Sequence, residues 1–341
     1  MSEPLSHYTT LGVGGQARNF VVADDERTLI STVAECDARG EPVLIIGGGS
    51  NLVIADEGFD GTAVLVRTHG LTSDVDSCSG AMVTVAAGEP WDEVVAHCVR
   101  KEWAGIEALS GIPGSIGATP IQNVGAYGQQ VSDVIARVRT WDRRKGTQQT
   151  LSAAECGFGY RTSVFRQDLG RYLILDVTMQ LNLSARSAPV HYQDLVSYLA
   201  ADTGDRHAID QLRAAVLAVR RGKGMVLDPG DPDTRSTGSF FTNPILTTAA
   251  AQGLPQSAPR YSAGEGLVKT SAAWLIQEAG FTRGFGNDRA SISSKHTLAL
   301  TNRGNASATD VLELARVIRA GVQSTFGVTL EPEPILVNCS L

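Results

Sequence analysis

Four apolar residues, Val43-Leu44-Ile45-Ile46, end abruptly at Gly47-Gly48-Gly49-Ser50-Asn51. Glycine lets a backbone approach a ligand with no side chain in the way, so such a loop can turn its N–H groups onto a phosphate; a plain tight turn is the competing reading. A second run of small residues goes from Ser110-Gly111-Ile112-Pro113-Gly114-Ser115-Ile116-Gly117-Ala118 to Asn123-Val124-Gly125-Ala126-Tyr127-Gly128. Residues this small cannot build a core, and they suit either a structural loop or a surface moulded around a flat or pyrophosphate-bearing cofactor. Gly159-Tyr160-Arg161-Thr162-Ser163 sets a guanidinium among aromatic and apolar neighbours, where it could clamp a carboxylate through two hydrogen bonds or join a structural ion pair. Ser236-Thr237-Gly238-Ser239-Phe240-Phe241-Thr242-Asn243-Pro244 places a hydroxyl and an amide on either side of two aromatics. With no G-x-S-x-G elbow around it, Ser239 suits proton donation or hydrogen bonding better than nucleophilic attack. In Leu330-Glu331-Pro332-Glu333-Pro334 the carboxylates lie two residues apart, on one face of an extended strand that the prolines mark as an edge or as irregular.

Other apparent motifs fail on context. The loop after Ile46 would need a glycine at Leu52 and a following helix to be a dinucleotide fingerprint, whereas Leu52-Val53-Ile54 reads as strand. Gly12 to Ala17 fits G-x-G-x-x-A but lacks a preceding apolar strand, and Gly264 to Thr270 has Val268 where a P-loop needs its second glycine. The five cysteines (Cys36, Cys78, Cys98, Cys156, Cys339) are odd in number and unpaired in spacing, which argues for reduced, structural thiols. The six histidines lack ligand spacing, so no metal site is expected.

These clusters need elements to hold them. Asn19 to Ala23 and Pro42 to Ile46 read as strands flanking a helix from Thr28 to Arg39. Strand-like runs follow at Met82–Ala86, Val134–Trp141 and Tyr172–Leu181, with a helix opening at Pro90 in its first-turn position. His191 to Arg221 reads as helical until the Asp228–Asp233 segment, a candidate hinge or ligand-side loop, breaks the pattern. Helices are expected over Thr270–Ala279, stopped by Gly280, and Asp310–Phe326, capped by Ser307, with a closing strand from Thr329 to Val337. At 341 residues the chain calls for two or three domains. Its net charge of -7 and lack of a dense basic stretch exclude the footprint of a nucleic-acid binder. No stretch approaches the roughly 20 apolar residues that span a bilayer and no targeting segment is evident, so a cytoplasmic protein is expected.

The five clusters, in this order, resemble the UDP-N-acetylenolpyruvoylglucosamine reductase family over nearly the whole chain. The resemblance implies an α+β architecture of the vanillyl-alcohol-oxidase/PCMH type, in which two α/β subdomains bind FAD and a third α/β domain binds substrate. The corresponding boundaries are 1–70, with the C-terminal strand 331–341 near it, then 71–223 and 224–330. It implies non-covalent FAD, held by Gly47, Gly48, Gly49, Ser50 and Asn51 together with Gly114, Ser115, Gly117, Asn123, Gly125, Ala126 and Tyr127. NADPH would supply hydride to the flavin, and UDP-N-acetylglucosamine enolpyruvate would accept it to give UDP-N-acetylmuramate for peptidoglycan synthesis.

By the same resemblance Arg161 and Glu333 would stabilise the enolate, and Ser239 would deliver the proton to C2. Tyr192, Arg220, Lys223, Asn243, Lys269 and His296 would bind substrate. Thr242 stands where the family frequently has lysine, and Pro334 where it usually has valine. The expected state is a monomer. The alternatives are an FAD-dependent oxidase on the same fold, which would lack the G-S-F-F and E-x-E pair, and a non-catalytic flavin- or nucleotide-binding module.

Overall fold

Along Gly80–Ala86 half-buried and buried residues alternate, so Ala81, Val83 and Val85 share one inward face. That strand belongs to an antiparallel sheet ordered Thr147–Ser152, Ile135–Asp142, Tyr172–Leu183, Gly80–Ala86, Leu71–Asp76. The helix Trp91–Arg100 buries Trp91, Val94, Val95, Cys98 and Val99 in the same core cluster as Val83, Val85 and Val177. The i, i+3, i+4, i+7, i+8 spacing of those five makes the apolar stripe.

The computed structural model describes residues 4–341, and the chain divides into two compact units. The first comprises Ala17–Gly49 and Asp60–Gly222. Besides the sheet above it holds a three-stranded sheet in the order Ala17–Ala23, Phe59–Val66, Val43–Ile46, flanked in sequence by the helix Glu26–Ala38. The second unit comprises 4–16, Ser50–Phe59 and Lys223–Leu341. Its core is organised by the 19-residue helix Ala308–Phe326, which starts with a reciprocal Ser307/Asp310 capping box and stops at left-handed Gly327. The Asp56 carboxylate accepts from the N–H groups of Ala308 and Thr309 at the start of that helix. Among the described residues no helix is long and apolar enough to cross a membrane.

Most expected elements form, with local corrections. Pro90 is the residue before the helix rather than its first turn: its backbone is extended because it bridges to Ser115, and Trp91 N–H donates to Gly114 O. The helical reading of His191–Arg221 resolves into Gln193–Leu199 and Ile209–Gly222. Only Ile335–Val337 of the expected closing strand is a strand, pairing parallel with Leu52–Ile54. Pro332 and Pro334 have no N–H to give, so Leu330–Pro334 makes only the isolated bridge Phe241–Pro332.

Helix Trp91–Arg100 is fastened to the second small-residue run by Asp92, whose Oδ1 accepts from Gly111 N–H at 2.6 Å. The same carboxylate takes two hydrogen bonds from Arg213, 2.6 and 2.8 Å long. Burial pushes the Asp92 pKa up, but these bonds outweigh it and hold the carboxyl below its ordinary value of 3.8. A depressed carboxylate stabilises the fold fully above the unfolded value and loses that contribution as pH falls through the folded value. Asp92→Asn is therefore expected to cost about 1 kcal/mol at neutral pH, allowing for solvent screening. Urea midpoints at pH 7 and below pH 3.8 check this: the gap between wild type and variant should narrow in acid.

Candidate active site

In the first unit the two glycine-rich runs meet backbone to backbone. Strand Val43–Ile46 pairs parallel with Thr62–Leu65 and ends at Gly47, whose carbonyl accepts from Arg67 Nη1 at 3.1 Å. A Cβ on Gly48 would stand 2.5 Å from Gly114 Cα and 3.0 Å from its carbonyl carbon, and one on Gly47 would land on Ser115 Oγ. A Cβ on Gly117 would come within 2.7 Å of Ala87 Cβ. The two runs are therefore packed so closely that even a methyl group would not fit between them, and with side chains this small a cofactor at their surface would be bound through main-chain groups.

Tyr127 and Gly128, both with positive φ (52° and 87°), make the two-residue turn of the hairpin Gly125–Ala126/Gln129–Gln130. The Tyr127 ring meets that of Tyr192 edge-on, with centroids 5.0 Å apart. Tyr192 precedes the helix Gln193–Leu199 and is exposed. Arg220, near the end of helix Ile209–Gly222, is buried and approaches Gly111 O at 3.4 Å. Burial pushes its pKa down, against the opposing pull of Tyr127 and Asp92.

Arg161 sits in a tight turn closed by the Gly159–Thr162 bridge, with a left-handed φ of 54°. Its Nη2 donates to Gly125 O at 3.0 Å, and its guanidinium lies 5.8 Å from the Tyr160 ring centroid. Asn123, buried and also left-handed, donates its amide to Gly159 O and Gln130 Oε1 and accepts from Ser132 N–H. Its side chain thereby joins the second glycine run to the turn carrying Arg161.

In the second unit Ser239 and Glu333 are brought together through Phe240. Phe240 N–H donates to Leu298 O at 2.7 Å, and Phe240 O accepts from Glu333 N–H at 2.9 Å. Ser239 bridges Ala299 on one side of this segment, while Phe241 bridges Pro332 on the other. Both phenylalanines are buried, edge to face at 5.2 Å, so the backbone that carries Ser239 is anchored on each flank. Ser239 and Glu333 remain half-buried, whereas Glu331 is exposed and approaches Arg319 at 3.4 Å. Asn51 reaches the same strip, its side chain donating to Glu333 O and its carbonyl accepting from Ile335 N–H.

Asn243 Oδ1 accepts from Ala272 N–H and so caps helix Ala272–Glu278. Lys269 ends the strand Leu267–Lys269 opposite Ile245 and Tyr261. The P-loop look-alike of Gly264 and Gly266 is the turn between Tyr261–Ser262 and that strand. His296 lies in a turn held by Ser293 Oγ, which accepts from the N–H groups of Lys295 and His296. Thr242 donates N–H and hydroxyl to Glu331 O. Lys223 opens the second unit's final segment just after helix Ile209–Gly222.

This architecture has known counterparts. Residues 231–337 match the family described as the C-terminal domain of UDP-N-acetylenolpyruvoylglucosamine reductase, and residues 17–152 match an FAD binding domain. A protein named UDP-N-acetylenolpyruvoylglucosamine reductase from Cutibacterium acnes is 54% identical, the alignment covering 99% of this chain and 90% of that one. The chain belongs to the UDP-N-acetylenolpyruvoylglucosamine reductase family. A relative of the same name from Thermobifida fusca is 50% identical over 99% of this chain and 98% of its own. The crystal structure of the reductase from Thermus caldophilus superposes with a TM-score of 0.67 at 26% identity, covering 99% of this chain and 98% of that one. The chain is thus a flavin-dependent oxidoreductase with the FAD-binding fold of the vanillyl-alcohol-oxidase type, and FAD is its cofactor.

Arg67, Asp92 and Arg213 escape the sequence reading although each fixes one of the glycine runs. Arg67 carried one usable signal, as the first cation after the apolar strand Phe59–Val66; the Asp92–Arg213 pairing has no spacing to betray it. Gly48→Ala is expected to yield a folded protein that has lost its FAD. Equal circular dichroism with at least about a tenfold drop in bound flavin on purification is the expected result, because a methyl must push Gly114 away.

Proposed function

We infer that this chain reduces UDP-N-acetylglucosamine enolpyruvate to UDP-N-acetylmuramate with NADPH as reductant, serving peptidoglycan synthesis in the cytoplasm. The observation that carries this reading is the hydrogen bond from Glu333 N–H to the carbonyl of Phe240, the residue after Ser239, in a chain that also has the two closely packed glycine runs and Arg161. Relatives named for this reduction, aligned over nearly their whole lengths, support it.

When bound, FAD would supply the hydride that the enol-ether carbon β to the substrate carboxylate accepts. Charge then gathers on the carboxyl oxygens as the enolate forms. Arg161 stabilises that charge with its guanidinium, a gain larger in the transition state than in the ground state. Glu333 assists in the protonated or proton-sharing form, since a bare carboxylate would repel the enolate. Ser239 passes its hydroxyl proton to C2 and completes the reduction. Arg220, Lys223 and Lys269 offer positive charge to the substrate diphosphate, Asn243 and His296 offer polar contacts, and Tyr192 offers a further substrate contact.

Residues 47–51 and 114–127 would hold FAD non-covalently. The donor set fits that task, being mostly main chain with small side chains. NADPH and the sugar nucleotide use the site in turn, so no separate dinucleotide domain is required.

Ser239→Ala separates the two half-reactions. Flavin reduction by NADPH should stay within about twofold of wild type, and flavin reoxidation by the enolpyruvyl substrate should slow by about 10² to 10⁴. Rapid-mixing absorbance measures both steps, and an equal loss in the two would remove Ser239 as proton donor.

A further inference from the structure

Asp233 is a buried carboxylate with no part in the chemistry above. Its Oδ1 accepts from Ser294 N–H at 2.9 Å and from Arg303 Nη1 at 3.0 Å, while Oδ2 accepts from Ser294 Oγ at 2.6 Å. Two residues earlier, Asp231 pairs with Lys295 Nζ at 2.5 Å. The short helical turn Pro232–Thr234 holds the two acids in place, Asp231 capping it through Asp233 N–H. The loop Asp228–Asp233 is thereby fastened to the segment Ser293–His296 by charge-assisted hydrogen bonds, each roughly twice as strong as a neutral one.

That segment leads directly to Ser239. Ser293 N–H donates to Ala299 O, Ala299 N–H to His296 O, and Leu298 O takes the N–H of Phe240, the residue after Ser239. Ala299 is also the bridge partner of Ser239 itself. From the other direction, Arg235 O accepts from Asn302 N–H, fixing the chain between Asp233 and Ser239 to the strand Leu300–Asn302. Burial raises the Asp233 pKa, yet the Ser294 hydroxyl and N–H hold it below the ordinary carboxylate range, so the anion is the form the network is built around.

We propose that Asp233 is a positioning residue for proton delivery: by pinning Ser293–His296 it fixes Leu298 and Ala299, and through them the placement of the Ser239 hydroxyl. This rests on the reading of Ser239 as proton donor. Asp233 acts only in the step in which Ser239 acts.

The test measures Asp233→Asn, Ser294→Ala and Ser239→Ala by rapid mixing, with saturating NADPH for the first half-reaction and saturating UDP-N-acetylglucosamine enolpyruvate for the second, in H2O and D2O. Asp233→Asn is expected to leave flavin reduction by NADPH within about twofold. It should slow reoxidation by about ten- to a hundredfold, the cost of a misplaced reacting group, and raise the solvent isotope effect on that step because proton transfer becomes more rate-limiting. Ser294→Ala, which removes one hydroxyl from the same contact, should act in the same direction by a smaller factor and supplies the answer if Asp233→Asn does not fold. An unchanged isotope effect, or equal slowing of both half-reactions, in whichever variants fold would overturn the assignment. Ser239→Ala with an unaffected second half-reaction would instead overturn the reading beneath it, and the proposal with it.

Discussion

The first unit depends on a contact in which nothing intervenes between two stretches of main chain. Gly47 and Gly48 lie so close to Gly114 and Ser115 that a single added methyl would overlap their atoms. Bringing backbones this near costs conformational entropy at each glycine, and it leaves little apolar area to compensate. The surrounding structure meets that cost with directional bonds. Arg67 takes the carbonyl of Gly47, Asp92 takes the N–H of Gly111, and Trp91 N–H takes the carbonyl of Gly114. The antiparallel sheet and helix Trp91–Arg100 supply the apolar burial that the glycine runs cannot.

The second unit solves a different problem, that of holding a hydroxyl still without burying it. Ser239 stays half-buried while its neighbours Phe240 and Phe241 are packed away, and the main chain between them is bonded on both edges. A side chain mounted on such a segment has few rotamers to search and a backbone that cannot drift, which is what proton delivery to a carbon demands. The charged network around Asp233 extends this support outward, from the strip of backbone to the loop that flanks it.

Much of this was legible in the sequence because the physics is local. A glycine run after an apolar strand, a Ser-x-x-Asp cap before a helix and a Gly at a helix end each announce themselves within a few residues. The Ser307/Asp310 box and the helix ending short of Gly280 formed accordingly. Only the end of the expected closing strand, Ile335–Val337, forms, because Pro332 and Pro334, which mark it as an edge or irregular strand, cannot donate to a ladder. What lay beyond reach were pairings between distant charges. Asp92 and Arg213 are 121 residues apart, Asp233 and Ser294 are 61 apart, and no periodicity links such partners before the fold does. Asn243 and Asn123 show a related limit: the sequence marks both as polar groups for ligands but gives no sign that one also bonds the first N–H of a helix and the other also ties two loops together.

A flavin that accepts hydride from a nicotinamide and gives it to an enolpyruvyl sugar nucleotide has a direct spectroscopic signature. An anaerobic absorbance experiment on the purified holoprotein tests this most directly, with NADPH added to bleach the flavin and UDP-N-acetylglucosamine enolpyruvate added afterwards. The oxidised flavin spectrum should return on the second addition, in stoichiometric step with substrate. Reduced flavin that persists until air is admitted would contradict it and point to an oxidase.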